Sequence, residues 1–168
     1  MDSAEKQRNY ALADRLLSEQ NFAAAAIAGA IAMILSAGIF GLIKSVSDGP
    51  WYSISGAGIG IMIGFAMQYL GRGIGWKYSL VAAVYAILGC LLGNLFAVVM
   101  DVAQAIAVSP LDVFANTAYS TLYEWMFKNA SIADQMFWLI GIGSAAYFAT
   151  RPLTREQGLA LHIYKMRP

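Results

Sequence analysis

The sequence has little charge and almost no cysteine. Asp, Glu, Lys and Arg make up only 12% of its 168 residues, whereas they are about 25% of a typical soluble domain. Cys90 is the single cysteine, so the chain can form no intramolecular disulfide and has no C-x-x-C pair for zinc. The formal net charge of +1 gives no reason to expect nucleic acid as a partner. Because 59% of the residues are hydrophobic, the composition indicates an integral membrane protein whose first partner is the lipid bilayer.

The sequence contains several long runs of residues without Asp, Glu, Lys or Arg. The first, residues 22–43, is long enough to cross a hydrocarbon core of about 30 Å and exceeds the 7–15 or so apolar residues of a signal peptide. Two more follow at 51–70 and 78–100, and a shorter one at 136–149 belongs to a fourth span that we place at 132–149. We therefore predict an all-α protein with four transmembrane helices that form one domain over 22–150.

Lysine and arginine predict the orientation of these helices. If the N-terminus is cytoplasmic, the segments 1–21, 71–77 and 150–168 lie inside, and of the eleven basic residues only Lys44 and Lys128 lie outside. Cytoplasmic segments carry the excess of positive charge. We therefore expect both termini on the cytoplasmic side.

The segments outside the spans also carry helix signals. Asp2 and Glu5 favour a polar N-terminal helix within 1–21, and Thr154 with Gln157 favours a helix within the tail, 151–168. Ser109 followed by Pro110 starts a third helix, over 109–128, which is amphipathic and is expected on the outer membrane surface. Its apolar residues either cover the bundle or dock a partner; the candidate docking residues are Leu111, Phe114, Leu122 and Trp125.

The stretch 56–75 is rich in glycine, yet it fits no phosphate-binding motif. G-x-G-x-x-G requires a third glycine at 63 or 76, where the sequence has Ile63 and Trp76. Spacing four suits helix contact in lipid instead, since small residues let helices approach closely. The other spans carry similar rows of small residues. Each row contacts a helix either of the same chain or of another chain. We predict these helix-contact residues: Gly56, Gly60, Gly64, Gly89, Gly93, Asn94, Gly141 and Ala145.

No set of residues points to catalysis or to a metal. The centres of the predicted spans contain no Asp, Glu, Lys, Arg or His, although such residues mark most functional sites in membranes. Asn94 is expected to bond the backbone of a neighbouring helix, and His162 has no ligand partner at helical spacing. Two carboxylates have predicted capping roles, Asp112 after Ser109 and Asp134 after Ser131. They belong to the only four that could gather at the outer end, which are Asp101, Asp112, Glu124 and Asp134. We therefore predict no cofactor, no metal, no catalytic residue and no enzymatic activity.

Two stretches resemble uncharacterised small bacterial integral membrane proteins with four helices. The stretches are "IGIMIGFAMQYLGRGIGWKYSLVAAVYAILGCLLGNLFA" and "SPLDVF…ASIADQMFWLIGIGSAAYFATRP", within about residues 54–150. Some proteins of that group carry a cysteine-rich zinc ribbon before the first helix, whereas residues 1–21 contain no cysteine. The resemblance implies a location in the bacterial inner (cytoplasmic) membrane and brings no known activity.

Together these patterns favour a non-enzymatic membrane protein. We expect an accessory or structural subunit that packs with other membrane subunits or with itself. The alternative is a homo-oligomeric channel or small-solute transporter, in which Gly56, Gly60, Gly64 and Asn94 lie near a central pore.

Overall fold

The computed structural model describes residues 3–47, 54–128 and 130–166, and these residues form α-helices and no strand. The all-α prediction is therefore confirmed for this part of the chain. In order the helices are α1 (Ser3–Ser18), α2 (Phe22–Val46), α3 (Ser55–Gly71), α4 (Trp76–Ala105), α5 (Pro110–Asn116), α6 (Tyr119–Lys128), α7 (Ile132–Phe148) and α8 (Arg155–Lys165).

Helices α2, α3, α4 and α7 pack together as a bundle. α3 and α4 touch each other, and both of them contact α2 on one side and α7 on the other. The core is rich in alanine, because small side chains let helix axes approach closely. The buried cluster at the centre contains Ala25, Ala32, Phe40, Ile59, Ile63, Met67, Tyr78, Ala82, Ala86, Cys90, Ala145 and Ala149.

The outward faces of this bundle are apolar as well. On α2, the side chains of Ile27, Ile31 and Leu35 are 63%, 54% and 59% exposed, which is a surface suited to lipid rather than to water. Helices α2 and α4 are long and apolar enough to cross a membrane, with mean hydropathies of 2.3 and 2.2. Helices α3 and α7 have 17 residues each, which corresponds to about 25 Å of rise.

Helices α5 and α6 cover one end of the bundle. Val113 of α5 and Leu122 of α6 are buried against Leu95, Val99 and Ala103 of α4. The amphipathic segment after α4 therefore turns part of its apolar face towards the chain's own core.

The structure has two helices where the sequence analysis predicts one over 109–128. The backbone is extended at Thr117 (φ −92°, ψ 134°), which ends α5. Two side chains reach back to α5 carbonyls: the Asn116 amide donates to Asp112 O at 2.8 Å, and the Thr117 hydroxyl donates to Val113 O. Asn and Thr that bond nearby backbone groups compete with the helix, which is why the segment breaks here.

Helices α1 and α8 pack against each other at the opposite end. Ala13 and Leu16 of α1 and Ala160 of α8 are buried, and the rings of Tyr10 and Tyr164 meet edge to face at 6.3 Å between centroids. The first and last described helices thus lie at the same end of the bundle.

A tight turn joins α3 to α4 at this same end. Arg72 ends α3 in the left-handed conformation (φ 46°), and its N–H donates to Gln68 O at 3.0 Å. Gly75 then starts α4 at φ 118°, a conformation that favours glycine over residues with a Cβ atom. The last glycines of the stretch 56–75 therefore form a turn rather than a helix contact.

Several helix starts follow from local side chains, as predicted. Ser131 with Asp134 and Thr154 with Gln157 form complete capping boxes, and Ser109 caps α5. The predicted cap at Asp2 and the predicted start of the second span at Trp51 lie outside the described residues.

Candidate functional site

A buried polar cluster lies at the end of the bundle that α5 and α6 cover. Its first member is Lys44, which the sequence analysis assigns to an outer loop, because the uncharged run ends at residue 43. The structure corrects this assignment. α2 continues to Val46, and the Lys44 side chain is only 12% exposed. A cation suits the last turn of a helix, where the carbonyl ends of the peptide dipoles accumulate.

Asn94 of α4 is the centre of the cluster. It is 0% exposed, and its Oδ1 accepts a hydrogen bond from Lys44 Nζ at 2.7 Å. Its Nδ2 donates to two carbonyls of α6, Trp125 O and Met126 O, each at 3.1 Å. The buried amide thus has hydrogen-bond partners for its NH₂ group and for its oxygen, so it does not carry the free-energy cost of an unsatisfied buried polar group. Asn94 therefore connects α2, α4 and α6.

Asp134 of α7 completes the cluster and carries the negative charge. It is 0% exposed, and its Oδ2 lies 3.1 Å from Lys44 Nζ. The same oxygen accepts from the backbone N–H and the hydroxyl of Ser131, each at 2.9 Å. The carboxylate therefore caps α7 and pairs with α2 at the same time.

The other outer carboxylates do not join Asp134. Asp101 and Asp112 are exposed, and Glu124 pairs with Lys128 on the exposed face of α6 at 3.1 Å. In the part of the chain that the structure describes, no three His, Cys, Asp or Glu side chains are close enough to hold a metal ion. The cluster is an ion pair with an amide rather than a gathering of acids.

The geometry of the cluster suits a structural connection. The charges of Lys44 and Asp134 balance each other, and a carboxylate that already faces an ammonium group attracts a further cation weakly. α2 and α7 lie on opposite sides of the α3–α4 pair, so the long Lys44 side chain reaches Asp134 and bridges helices that otherwise barely touch. Breaking one partner of a buried ion pair costs about 3–5 kcal/mol, because the other charge stays buried.

The pairing of Lys44 with Asp134 was not predicted, although the sequence contains a signal for it. Lys44 follows the first predicted span, Asn94 lies in the outer half of the third, and Asp134 begins the fourth. Under the predicted orientation all three therefore lie at similar depth at the outer end. Their similar depth predicts that they meet, although none of them lies at the centre of a span.

The predicted helix-contact residues are all buried within the single chain. α3 and α7 approach most closely at Gly60, where a Cβ atom would lie 1.7 Å from Gly141 O. On either side of this point, Gly56 faces Trp138 and Gly64 faces Phe148. The glycine row of α3 thus contacts α7 of the same chain. Ala145 lies on this same contact, beside Gly64, whereas Gly89 and Gly93 of α4 face Ile59 of α3 and Phe40 of α2. Asn94 bonds α6, as described above.

The four predicted docking residues do not form one surface. Leu122 is 6% exposed and Trp125 packs beside it against α4. Leu111 and Phe114, on the other helix, are 79% and 44% exposed. Because the segment breaks at Thr117, its apolar residues are divided between the core and the surface.

A second concave feature lies between α3, α4 and α7, nearer the opposite end. This groove has a volume of about 670 Å³ and is lined by Phe65, Gln68, Ser79, Ala146, Tyr147, Phe148, Thr150 and Pro152. Gln68 Nε2 donates to Thr150 O at 2.7 Å, so the most polar side chain of the groove already has a partner.

Comparison with known proteins adds no assignment to this geometry. The chain matches no protein-family model, no curated protein and no solved structure.

Proposed function

We propose that this chain is a non-enzymatic protein of the bacterial inner membrane that crosses the bilayer four times and acts as a structural or accessory subunit of a membrane assembly. The observation that supports this most strongly is the closed interior. Gly60 touches the backbone of Gly141, and Lys44, Asn94 and Asp134 use one another's polar groups. The surfaces available for a function are therefore on the outside.

Four crossings are supported by length and by the positions of the helix ends. A length of 17 residues, as in α3 and α7, is near the lower limit of about 17–25 for a spanning helix. The α1–α8 pair and the 72–75 turn lie at one end, where Arg151 N donates to Gly73 O at 2.9 Å. The α5–α6 cover lies at the other end. Four antiparallel crossings with both termini on one side account for this arrangement.

The outer face of α7 is the surface that we assign to contact with another subunit. Leu139 and Tyr147 are 70% and 76% exposed. Gly143 lies between them at spacing four, and a Cβ atom there would have no neighbour within 4 Å. A small residue on an outward face lets a helix of another subunit approach closely, which is how helices associate in lipid.

The experiment compares two outward glycines in native membranes. The wild-type chain and the variants Gly143→Leu and Gly38→Leu are extracted with their surrounding lipid in polymer nanodiscs, and their masses are measured by mass photometry. Gly38 of α2 is the matched control, since it too has no neighbour within 4 Å. We expect a complex of defined stoichiometry for the wild type and for Gly38→Leu, and its loss for Gly143→Leu. A wild-type chain that is always alone would contradict the proposal.

The channel alternative has less support. It requires Gly56, Gly60 and Gly64 beside a pore, whereas these glycines face α7 of their own chain. It also requires an accessible Asn94, which is 0% exposed. Solute flux through proteoliposomes of the wild type would favour the channel over the structural subunit.

A further inference from the structure

A cleft lined by two lysines lies at the end of the bundle that holds α1 and α8. It consists of two adjoining cavities of about 560 and 330 Å³. Both are lined by Leu17 of α1, by Ile74 and Gly75 of the turn before α4, and by Lys165 of α8. Three separate parts of the chain therefore form its walls.

Two lysines line this cleft without an acid beside them. Lys77 of α4 and Lys165 of α8 both lie on its wall, and of the lining residues that the structure describes none is Asp or Glu. Among the described residues, neither lysine forms an ion pair. The nearby acid Glu19 is instead occupied by three arginines, Arg15, Arg72 and Arg151, at 3.1, 3.7 and 2.9 Å.

The start of α4 adds to the positive character of the cleft. Gly75 is the N-cap residue of this helix, and no side chain caps its first amides. The uncapped N–H groups at the start of a helix attract anions, and they lie beside Lys77 on the cleft wall. Cations from two helices and a helix N-terminus thus converge on one cavity.

Gln20 and His162 also line the cleft, and the rest of its wall is largely apolar, which suits a hydrocarbon chain at a membrane boundary. Phe22, the first residue of α2, and Trp76, the first residue of α4, are 47% and 69% exposed. Exposed aromatic residues at the ends of membrane helices are typical of the level of the lipid headgroups. Leu17 and Ile74 extend this apolar surface into the cavity.

We propose that this cleft binds one anionic phospholipid of the cytoplasmic leaflet. Its phosphate lies between Lys77 and Lys165, and the upper part of an acyl chain lies against Leu17, Phe22 and Trp76. This inference rests on the proposed membrane crossings and orientation. A zwitterionic lipid presents no net negative charge to the two ammonium groups, so the cleft selects anionic lipid.

The test measures lipid binding to the full chain by native mass spectrometry. The protein, purified in detergent, is titrated with phosphatidylglycerol or with phosphatidylcholine of the same acyl chains. We expect retention of one phosphatidylglycerol per chain. In Lys77→Gln/Lys165→Gln we expect the affinity for this lipid to fall about tenfold or more, because each lysine near the headgroup adds its own attraction to the anionic lipid.

Lys6→Gln/Arg155→Gln is the matched control. It removes the same charge from exposed residues at the same end of the molecule, and we expect the affinity of the wild type. Equal retention of both lipids, or equal losses in the two double variants, would overturn the proposal. Displacement of the lipid by inorganic phosphate alone would identify a phosphate site in place of a lipid site.

A second measurement separates failure of this inference from failure of the proposed function. The fraction of protein that stays in the membrane pellet after an alkaline carbonate wash reports integration. Full retention together with no lipid preference would contradict the lipid site and leave the crossings intact. Release by carbonate would contradict the crossings themselves.

Discussion

The two ends of the bundle hold charged groups in opposite ways. At one end, Asp134 and Lys44 are withdrawn from solvent and share the cluster with Asn94. At the other end, Glu19 lies near the surface, and Arg15 and Arg72, two of its cationic partners, are 79% and 60% exposed. Exposed ion pairs contribute little to stability, whereas a buried pair becomes costly when one partner is removed.

The two kinds of charged cluster hold the helices together with different strength. The buried cluster joins α2, α4, α6 and α7 through groups that water cannot replace. The Glu19 cluster attaches α1 and the segment before α8 to the bundle through groups that water can replace easily. We therefore expect the end with α5 and α6 to be rigid and the end with α1 and α8 to open first.

The largest effect is expected midway between the two ends. In Gly60→Ala the new Cβ atom would lie 1.7 Å from Gly141 O, so α3 and α7 must separate and both ends lose their support. We expect no folded protein after detergent extraction, judged by size-exclusion chromatography. Gly58→Ala is the matched control on the same helix, because its Cβ atom has no neighbour within 4 Å. Equal profiles for the two variants would contradict the packing of α3 against α7.

The next largest effect is expected for Asp134→Asn. The amide can still cap α7, but Lys44 loses its buried counter-charge, so we expect a loss of about 3–5 kcal/mol in the free energy of unfolding. Unfolding in detergent, followed by intrinsic fluorescence, measures it. The double variant Lys44→Met/Asp134→Asn removes both charges of the cluster and should regain most of this loss. If the double variant is as unstable as the sum of its single changes, the ion pair is not the reason.

A smaller and local effect is expected for Asn94→Leu. It leaves the carbonyls of Trp125 and Met126 without their donor, which costs about 1–3 kcal/mol for each buried polar group left unsatisfied. Hydrogen exchange measured by mass spectrometry should accelerate in α6 and stay unchanged in α1 and α8. Uniform acceleration along the chain would mean that Asn94 supports the whole bundle rather than the attachment of α6.

The smallest effect is expected at Glu19, and it depends on pH. The Arg151 guanidinium, which donates to Glu19 Oε2 at 2.9 Å, and then Arg15 hold the pKa of this carboxyl below its ordinary value of 4.5. A carboxyl whose pKa is lowered by folding stabilises the protein above its unfolded pKa and loses this contribution as the pH falls. Glu19→Gln should therefore be less stable than the wild type at pH 7, and the difference should shrink below about pH 4.5.

The melting temperatures of the wild type and Glu19→Gln between pH 3 and 7 test this sign. Asp14→Asn, a change at an exposed residue of α1, is the control. Its melting temperature should change between pH 3 and 7 by the same amount as that of the wild type. A gap between wild type and Glu19→Gln that widens in acid would contradict the arginine contacts.

The parts of the fold that follow from near neighbours in sequence could be predicted. Ser131 and Thr154 start their helices because a side chain three residues on completes the capping box. The rows of small residues indicated the buried faces of the helices. The predicted bounds of the first span, 22–43, differ from α2 (Phe22–Val46) only where Lys44 ends the uncharged run.

The parts that depend on distant residues could not be predicted in the same way. Lys44 and Asp134 are 90 residues apart, so their pairing requires the relative depth of two helices. The break at Thr117 depends on side chains that bond back to the helix carbonyls instead of facing solvent. The sharing of Glu19 among three arginines requires α1, the 72–75 turn and the segment before α8 to meet.

The central claim is that the chain crosses the membrane four times, and labelling at Val108 tests it most directly. In a Cys90→Ala background, Gln7→Cys, Val108→Cys and Glu156→Cys are treated on intact spheroplasts with a maleimide that cannot cross membranes. If all four helices of the bundle cross, Val108→Cys reacts at once, and the other two react only after the membrane is permeabilised. If only α2 and α4 cross, Val108→Cys lies on the same side as Gln7→Cys and stays unlabelled, which would contradict the account.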